Sequence, residues 1–249
     1  MATIASQVVL HPTVSQSLKY GSTTLGRDKA YRAIQYFARF YAWYLLSKGD
    51  KDAAARWNAL KTHLGTARKL LRLGKPMEHL QAALRACLST GPAVEQVTTI
   101  ARQISYFGYL TFDAFVWANS IKFWTLNPET STRVAKISNR FWFAGILFSI
   151  VNGVTKSVRL ARETKKLQST QKWGEKTLAA EAERETRLSV LLAAQENTRH
   201  QLIIDLLDAW IPATALGITN LNEGALGIFG LITSLIAAQK QWEAVNGKK

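Results

Sequence analysis

Apolar residues in this chain recur at spacings of three, four and seven, and no stretch alternates apolar and polar residues as a strand does. A period near 3.6 fits helices, so the chain is expected to be all-α. From Gly26 to Lys48, Tyr31, Ile34, Ala38, Tyr41 and Leu45 form one stripe, widened by Phe37, Phe40 and Tyr44. Gly49-Asp50 breaks that helix, and Asp50 is placed to cap the next. The second helix runs to Gly74-Lys75-Pro76, and Ser89-Thr90-Gly91-Pro92 is the next clear turn. Pro92 to Trp124 reads as one long helix, and another starts near Thr130. The last part holds two apolar segments, Leu202–Thr219 and Gly224–Ala238, joined by Asn220-Leu221-Asn222-Glu223 as a helical hairpin.

Four regions follow from this pass. Residues 1–90 are basic amphipathic helices; 91–167 are long helices with apolar segments; 168–186 are a polar, charge-mixed linker; 187–249 form the C-terminal hairpin. A transmembrane helix needs about 20 mostly apolar residues. The uncharged runs Phe141–Val154 and Gly224–Ala238 are shorter than that. They span only with help from flanking Trp, Lys and Arg; otherwise they are buried helices of a soluble bundle.

The segment Asp52–Lys75 is the most informative. Trp57, Leu60, Leu64, Ala67 and Leu71 make a narrow apolar stripe. Lys61, Arg68 and Arg72 flank it, and Arg56, Lys69 and Lys75 add charge. Such a helix lies in a membrane interface, its apolar side at headgroup depth and its cations on lipid phosphates. The same stripe also suits an ordinary surface helix packed on a core. Composition points toward anions: 32 Lys+Arg stand against 17 Asp+Glu, a formal charge of +15. An anionic phospholipid surface is the expected partner. Nucleic acid is not, because aromatics interleaved with cations between Arg27 and Trp43 are unaccompanied by any RNA-binding, zinc-finger or basic-zipper signature.

No catalytic or metal-binding constellation is visible, and no cofactor is expected. His11, His63, His79 and His200 are scattered without ligand spacing, and Cys87 is the single cysteine. The chain is not expected to be an enzyme. Met1–Tyr20 lacks the basic start and apolar core of a secretory signal. The ending Asn246-Gly247-Lys248-Lys249 is not the tripeptide address for the peroxisome lumen. Asp113, Asp205 and Asp208 sit in apolar surroundings, where an ionisable group marks an ion path or caps a helix end. Gly227, Gly230, Ser234 and Ala238 form a ridge of small residues that lets a helix approach another closely: Leu202–Thr219 or a second copy.

Three blocks resemble the peroxin-11 family of peroxisomal membrane elongation and proliferation factors, in its fungal form. The first is Arg27-Asp28-Lys29 after Gly26, with Arg32, Gln35-Tyr36 and Arg39. The second is Arg68-Lys69 with Leu71-Arg72-Leu73-Gly74-Lys75. The third runs from Asp205 to Pro212, then Leu221-Asn222-Glu223-Gly224, Gly227, Gly230 and Ser234. The resemblance implies an integral peroxisomal membrane protein with both termini in the cytosol. It also implies self-association, membrane remodelling before fission with Arg56–Lys75 as the remodelling element, and a link to dynamin-type fission machinery. A pore for small metabolites, lined by Asp113 or by Asp205 and Asp208, is the alternative activity.

Overall fold

A computed structural model describes residues 2–169 and 178–247. Lys248, Lys249 and residues 170–177 of the expected linker lie outside the described residues. Every regular element described is helical: α1 (Ala2–Val9), α2 (Pro12–Ser22), α3 (Thr24–Ser47), α4 (Lys51–Leu70), α5 (Lys75–Leu88), α6 (Ala93–Ser120), α7 (Pro128–Ser169), α8 (Leu178–Asp208), α9 (Trp210–Ala215) and α10 (Glu223–Asn246).

The punctuation is local chemistry. Gly49 ends α3 at φ +85°, a conformation open to glycine. Asp50 then caps α4 by accepting from the Ala53 amide at 3.0 Å. Asn127 opens α7 by accepting from the Thr130 amide at 2.7 Å. Asn222 opens α10 the same way, through the Ala225 amide at 2.8 Å.

Six of the helices close a ring in the order α3, α4, α6, α7, α8, α10 and back to α3. Neighbours α3 and α10 run antiparallel, with Trp43, Phe40 and Tyr36 facing Gly224, Gly227 and Gly230 in turn. An added Cβ at Gly227 would meet the Phe40 backbone nitrogen at 2.6 Å, and at Gly230 it would strike the Tyr36 ring. The small-residue ridge therefore serves a close approach, but its partner is α3 of the same chain rather than Leu202–Thr219 or a second copy. Sequence distance hid this, because α3 lies near the other end of the chain. Antiparallel α6 and α7 repeat the device, Gly108 meeting Phe141 and Gly145 meeting Ser105 and Tyr106.

Beside a small apolar core of Tyr36, Ile211 and Leu226, the interior holds many polar groups and the surface many large apolar side chains. Buried positions include Asp28, Arg32, Arg68, Asp113, Asp205, Asp208, Thr233 and Ser234. Large apolar side chains face out: Leu147, Phe148, Val151, Val154 and Val158 on α7, and Ile228, Ile232 and Leu235 on α10. Among the described residues α7 is the helix long and apolar enough to cross a membrane, and 17% of its 18-residue apolar stretch is buried. The run Phe141–Val154 is thus part of a longer apolar stretch, and it is not the core of a soluble bundle. Contiguous exposed apolar surface of this kind needs another apolar phase to cover it.

Candidate membrane-active helices and the charged interior

The three sequence blocks converge in space. Asp28 on α3 accepts from Arg68 Nε of α4 at 3.0 Å, and Gln35 Oε1 accepts from Arg68 Nη1 at 2.7 Å. Arg32 on α3 donates to both carboxylate oxygens of Asp208 at the end of α8, at 2.8 and 2.7 Å. Arg39 donates to Glu223 at the start of α10, at 2.9 and 2.5 Å, and Lys61 of α4 stands 3.6 Å from the same carboxylate. The first block is therefore a seam onto which the second and third are bolted. Arg27 lies outside the seam, exposed, donating to the Gly21 carbonyl at 2.7 Å.

Burial works against the Asp28 carboxylate, yet Arg68 and Lys29 overcome it and hold the group below its ordinary range. Hydrogen bonds from Arg39 lower Glu223 in the same direction.

On α4 and in the turn after it, the cations flanking the apolar stripe turn mostly inward. Arg68 is 8% exposed. Lys69 Nζ and Arg72 Nη2 each reach Asp113 at 2.9 Å, and Arg72 Nη1 donates to the Tyr109 hydroxyl at 3.0 Å. Arg56 stays exposed, and Lys75 lines an interior cavity. The stripe itself is divided. Trp57 packs edge-on against Phe37 and Tyr41, ring centroids 5.6 and 5.0 Å away, and Leu64 and Leu71 are half-buried. Leu60 remains 38% exposed.

A more open apolar face continues beyond the stripe. Leu70 at the end of α4, Leu73 in the turn after it, and Met77, Leu84 and Leu88 on α5 are all exposed. Ending the interfacial helix at Lys75 hid this face.

Each of the three interior aspartates is hydrogen-bonded within the chain. Asp113 is held by Lys69 and Arg72. Asp205, 2% exposed, accepts from Ser149 at 2.5 Å and Gln201 at 2.9 Å. Asp208 accepts from Arg32 and from Thr233 at 2.7 Å. Sequence reading did not single out Thr233, Tyr109 or Ser149, because their role depends on partners brought from other helices. Ser234 and Ala238 of the ridge are buried and half-buried, the former donating to the Gly230 carbonyl.

The family model for "Peroxisomal biogenesis factor 11 (PEX11)" matches residues 14–242. The chain belongs to the peroxisomal biogenesis factor 11 family. "Peroxisomal membrane protein PMP27" of Saccharomyces cerevisiae is 27% identical over 97% of this chain and 99% of its own length. "Peroxisomal biogenesis factor 11" of Schizosaccharomyces pombe is 25% identical over 93% of this chain and 96% of its own length. A mouse relative, "Peroxisomal membrane protein 11A", is 29% identical over 88% of this chain and 92% of its own length. No solved structure matches. As a member of this family the chain is a peroxisomal membrane protein involved in peroxisome proliferation. The outward apolar faces of α7 and α10 agree with a membrane setting.

Proposed function

We propose that this chain elongates the peroxisomal membrane before fission by wedging α4 and α5 into its outer leaflet and by self-association. The observation that carries the reading is the run of exposed apolar side chains Leu60 and Leu70 on α4, Leu73 in the turn, and Met77, Leu84 and Leu88 on α5. An apolar helix face buried to headgroup depth widens one leaflet and favours positive curvature. Arg56 and Arg85, both exposed, are available to anionic lipid phosphates. One wedge bends little membrane, so copies must gather. Homo-oligomerisation and recruitment of dynamin-type fission machinery complete the proposal.

Both termini belong in the cytosol in this reading. Supporting it, α2 meets the C-terminal end of α10: the Tyr20 and Trp242 rings lie 5.7 Å apart, and Asn246 Nδ2 donates to the Gln16 carbonyl at 3.4 Å. The helix α2 and the C-terminal end of α10 thus lie together. The pore alternative has less support, because Asp113, Asp205 and Asp208 are already engaged by donors from the same chain.

Full-length protein carrying Leu70→Glu and Met77→Glu tests the wedge. The double variant should stay in the peroxisomal membrane and fail to form elongated peroxisomes. Normal elongation by the variant at equal abundance would remove α4–α5 as the wedge.

A further inference from the structure

Between α3, α4, α5, α6, α7 and the end of α8 lies a cavity of about 450 Å³. Seven basic side chains line it against three carboxylates. The carboxylates are spoken for: Asp28 by Arg68 and Lys29, Asp113 by Lys69 and Arg72, Asp208 by Arg32. Among the described residues, Lys75 and Arg102 pair with no carboxylate within 4 Å, and the buried Arg102 Nε finds no acceptor. A buried N–H without an acceptor costs free energy, and so does an excess of like charge in a low-dielectric interior. The crowding registers on Lys29. Burial first, then Arg32, Arg68 and Lys75, bring its ammonium down to about 8 despite the pull of Asp28.

We infer that this cavity is a binding site for a phosphate-bearing anion, with Lys75 and Arg102 as its cationic ligands; neither is in an ion pair among the described residues, and Arg102 lies over the Tyr106 ring. Phosphate suits it better than a monocarboxylate. A phosphate monoester carries nearly two charges near neutral pH and three acceptor oxygens. It would meet the charge excess, and guanidinium forks match phosphate oxygens well. The cavity shares Gln35, Tyr36, Gly65 and Lys69 with a neighbouring hollow of about 460 Å³, where Arg39 and Lys61 are paired to Glu223. The anion is either a free phosphate or the headgroup of a phosphate-monoester lipid, and both meet the same side chains. This site goes beyond membrane wedging and stands whether or not α4 and α5 insert.

The test uses full-length protein in phosphatidylcholine nanodiscs, with Lys75→Gln/Arg102→Gln as the variant. Arg133→Gln/Lys136→Gln, two exposed cations on α7, is the charge-matched control. One arm titrates inorganic phosphate calorimetrically at constant ionic strength. The other replaces part of the lipid with phosphatidic acid and follows the unfolding midpoint. Wild type and control should bind phosphate, or gain midpoint with phosphatidic acid, while the double variant loses about tenfold or more in affinity, or the midpoint gain. Response in the first arm assigns a soluble phosphate, response in the second a lipid headgroup, and response in both a site that reads the phosphate alone. Without either anion the double variant should be at least as stable as wild type, because it sheds unpaired charge. Equal responses from wild type and double variant, or no response from wild type in either arm, would overturn the site. So would a double variant that is markedly less stable without anion.

Discussion

Arg32 on α3 grips both carboxylate oxygens of Asp208, at 2.8 and 2.7 Å, across 176 residues of sequence. Thr233 of α10 donates to the same carboxylate at 2.7 Å, so one aspartate ties three helices together. The pair is buried on both sides, and a buried ion pair costs most when only one partner is removed. Arg32→Met should therefore destabilise the protein by about 3–5 kcal/mol. Arg32→Met with Asp208→Met should recover much of that loss. Thermal unfolding in detergent measures both. A single variant as stable as wild type would show that the pair does not hold the bundle.

The ridge on α10 makes a prediction about which clashes can be relieved. At Gly230 an added Cβ meets the Tyr36 ring, whereas at Gly227 it meets the backbone of Phe40. Overpacking of this kind costs about 1–3 kcal/mol. In double-mutant cycles Gly230→Ala should couple favourably to Tyr36→Ala, because the smaller side chain opens the space. Gly227→Ala should show no such rescue by Phe40→Ala, since backbone cannot be trimmed. Equal rescue at both positions would mean that α3 and α10 do not approach as described.

Much of this architecture was legible in the sequence, and the part that was not has a physical reason. Helix boundaries followed from Gly49-Asp50, the turn before Ala93 and Asn222, since caps and turns are local chemistry. The inward turn of Arg68 and Arg72 was not legible. A cation beside an apolar stripe suits lipid phosphate and a buried carboxylate equally well. What decides is Asp28, 40 residues from Arg68, and Asp113, 41 residues from Arg72. Likewise Phe141–Val154 read as too short to span, because the run was cut at its flanking charges while the helix continues from Pro128 to Ser169.

Acid should loosen one identifiable clasp. Arg159 of α7 donates to Glu95 at the start of α6 at 2.6 and 2.9 Å, and these bonds hold the Glu95 carboxyl below its usual range despite burial. A carboxyl depressed in the folded state contributes stability that is present above the unfolded value. That contribution is lost as pH falls through the folded value. Wild type should thus lose unfolding midpoint between the ordinary carboxylate range and more acid conditions. Glu95→Gln should start about 1–3 kcal/mol lower near neutrality and lose less over the same interval. Parallel pH profiles for the two proteins would show the clasp to be energetically idle.

The outward apolar face of α7 predicts how firmly the protein is held. Alkaline carbonate should leave wild type in the membrane pellet. Val151→Lys with Val154→Lys, both on that exposed face, should shift the protein toward the supernatant. Release of the wild type by carbonate would contradict a membrane-embedded bundle.

The most direct test of the remodelling account is reconstitution of the purified full-length chain into giant vesicles containing anionic phospholipid. At rising surface density the protein alone should draw out tubules, and the Leu70→Glu/Met77→Glu variant, incorporated to the same density, should leave the vesicles round. Round vesicles with wild type at every density, or tubules of equal number with the variant, would contradict it.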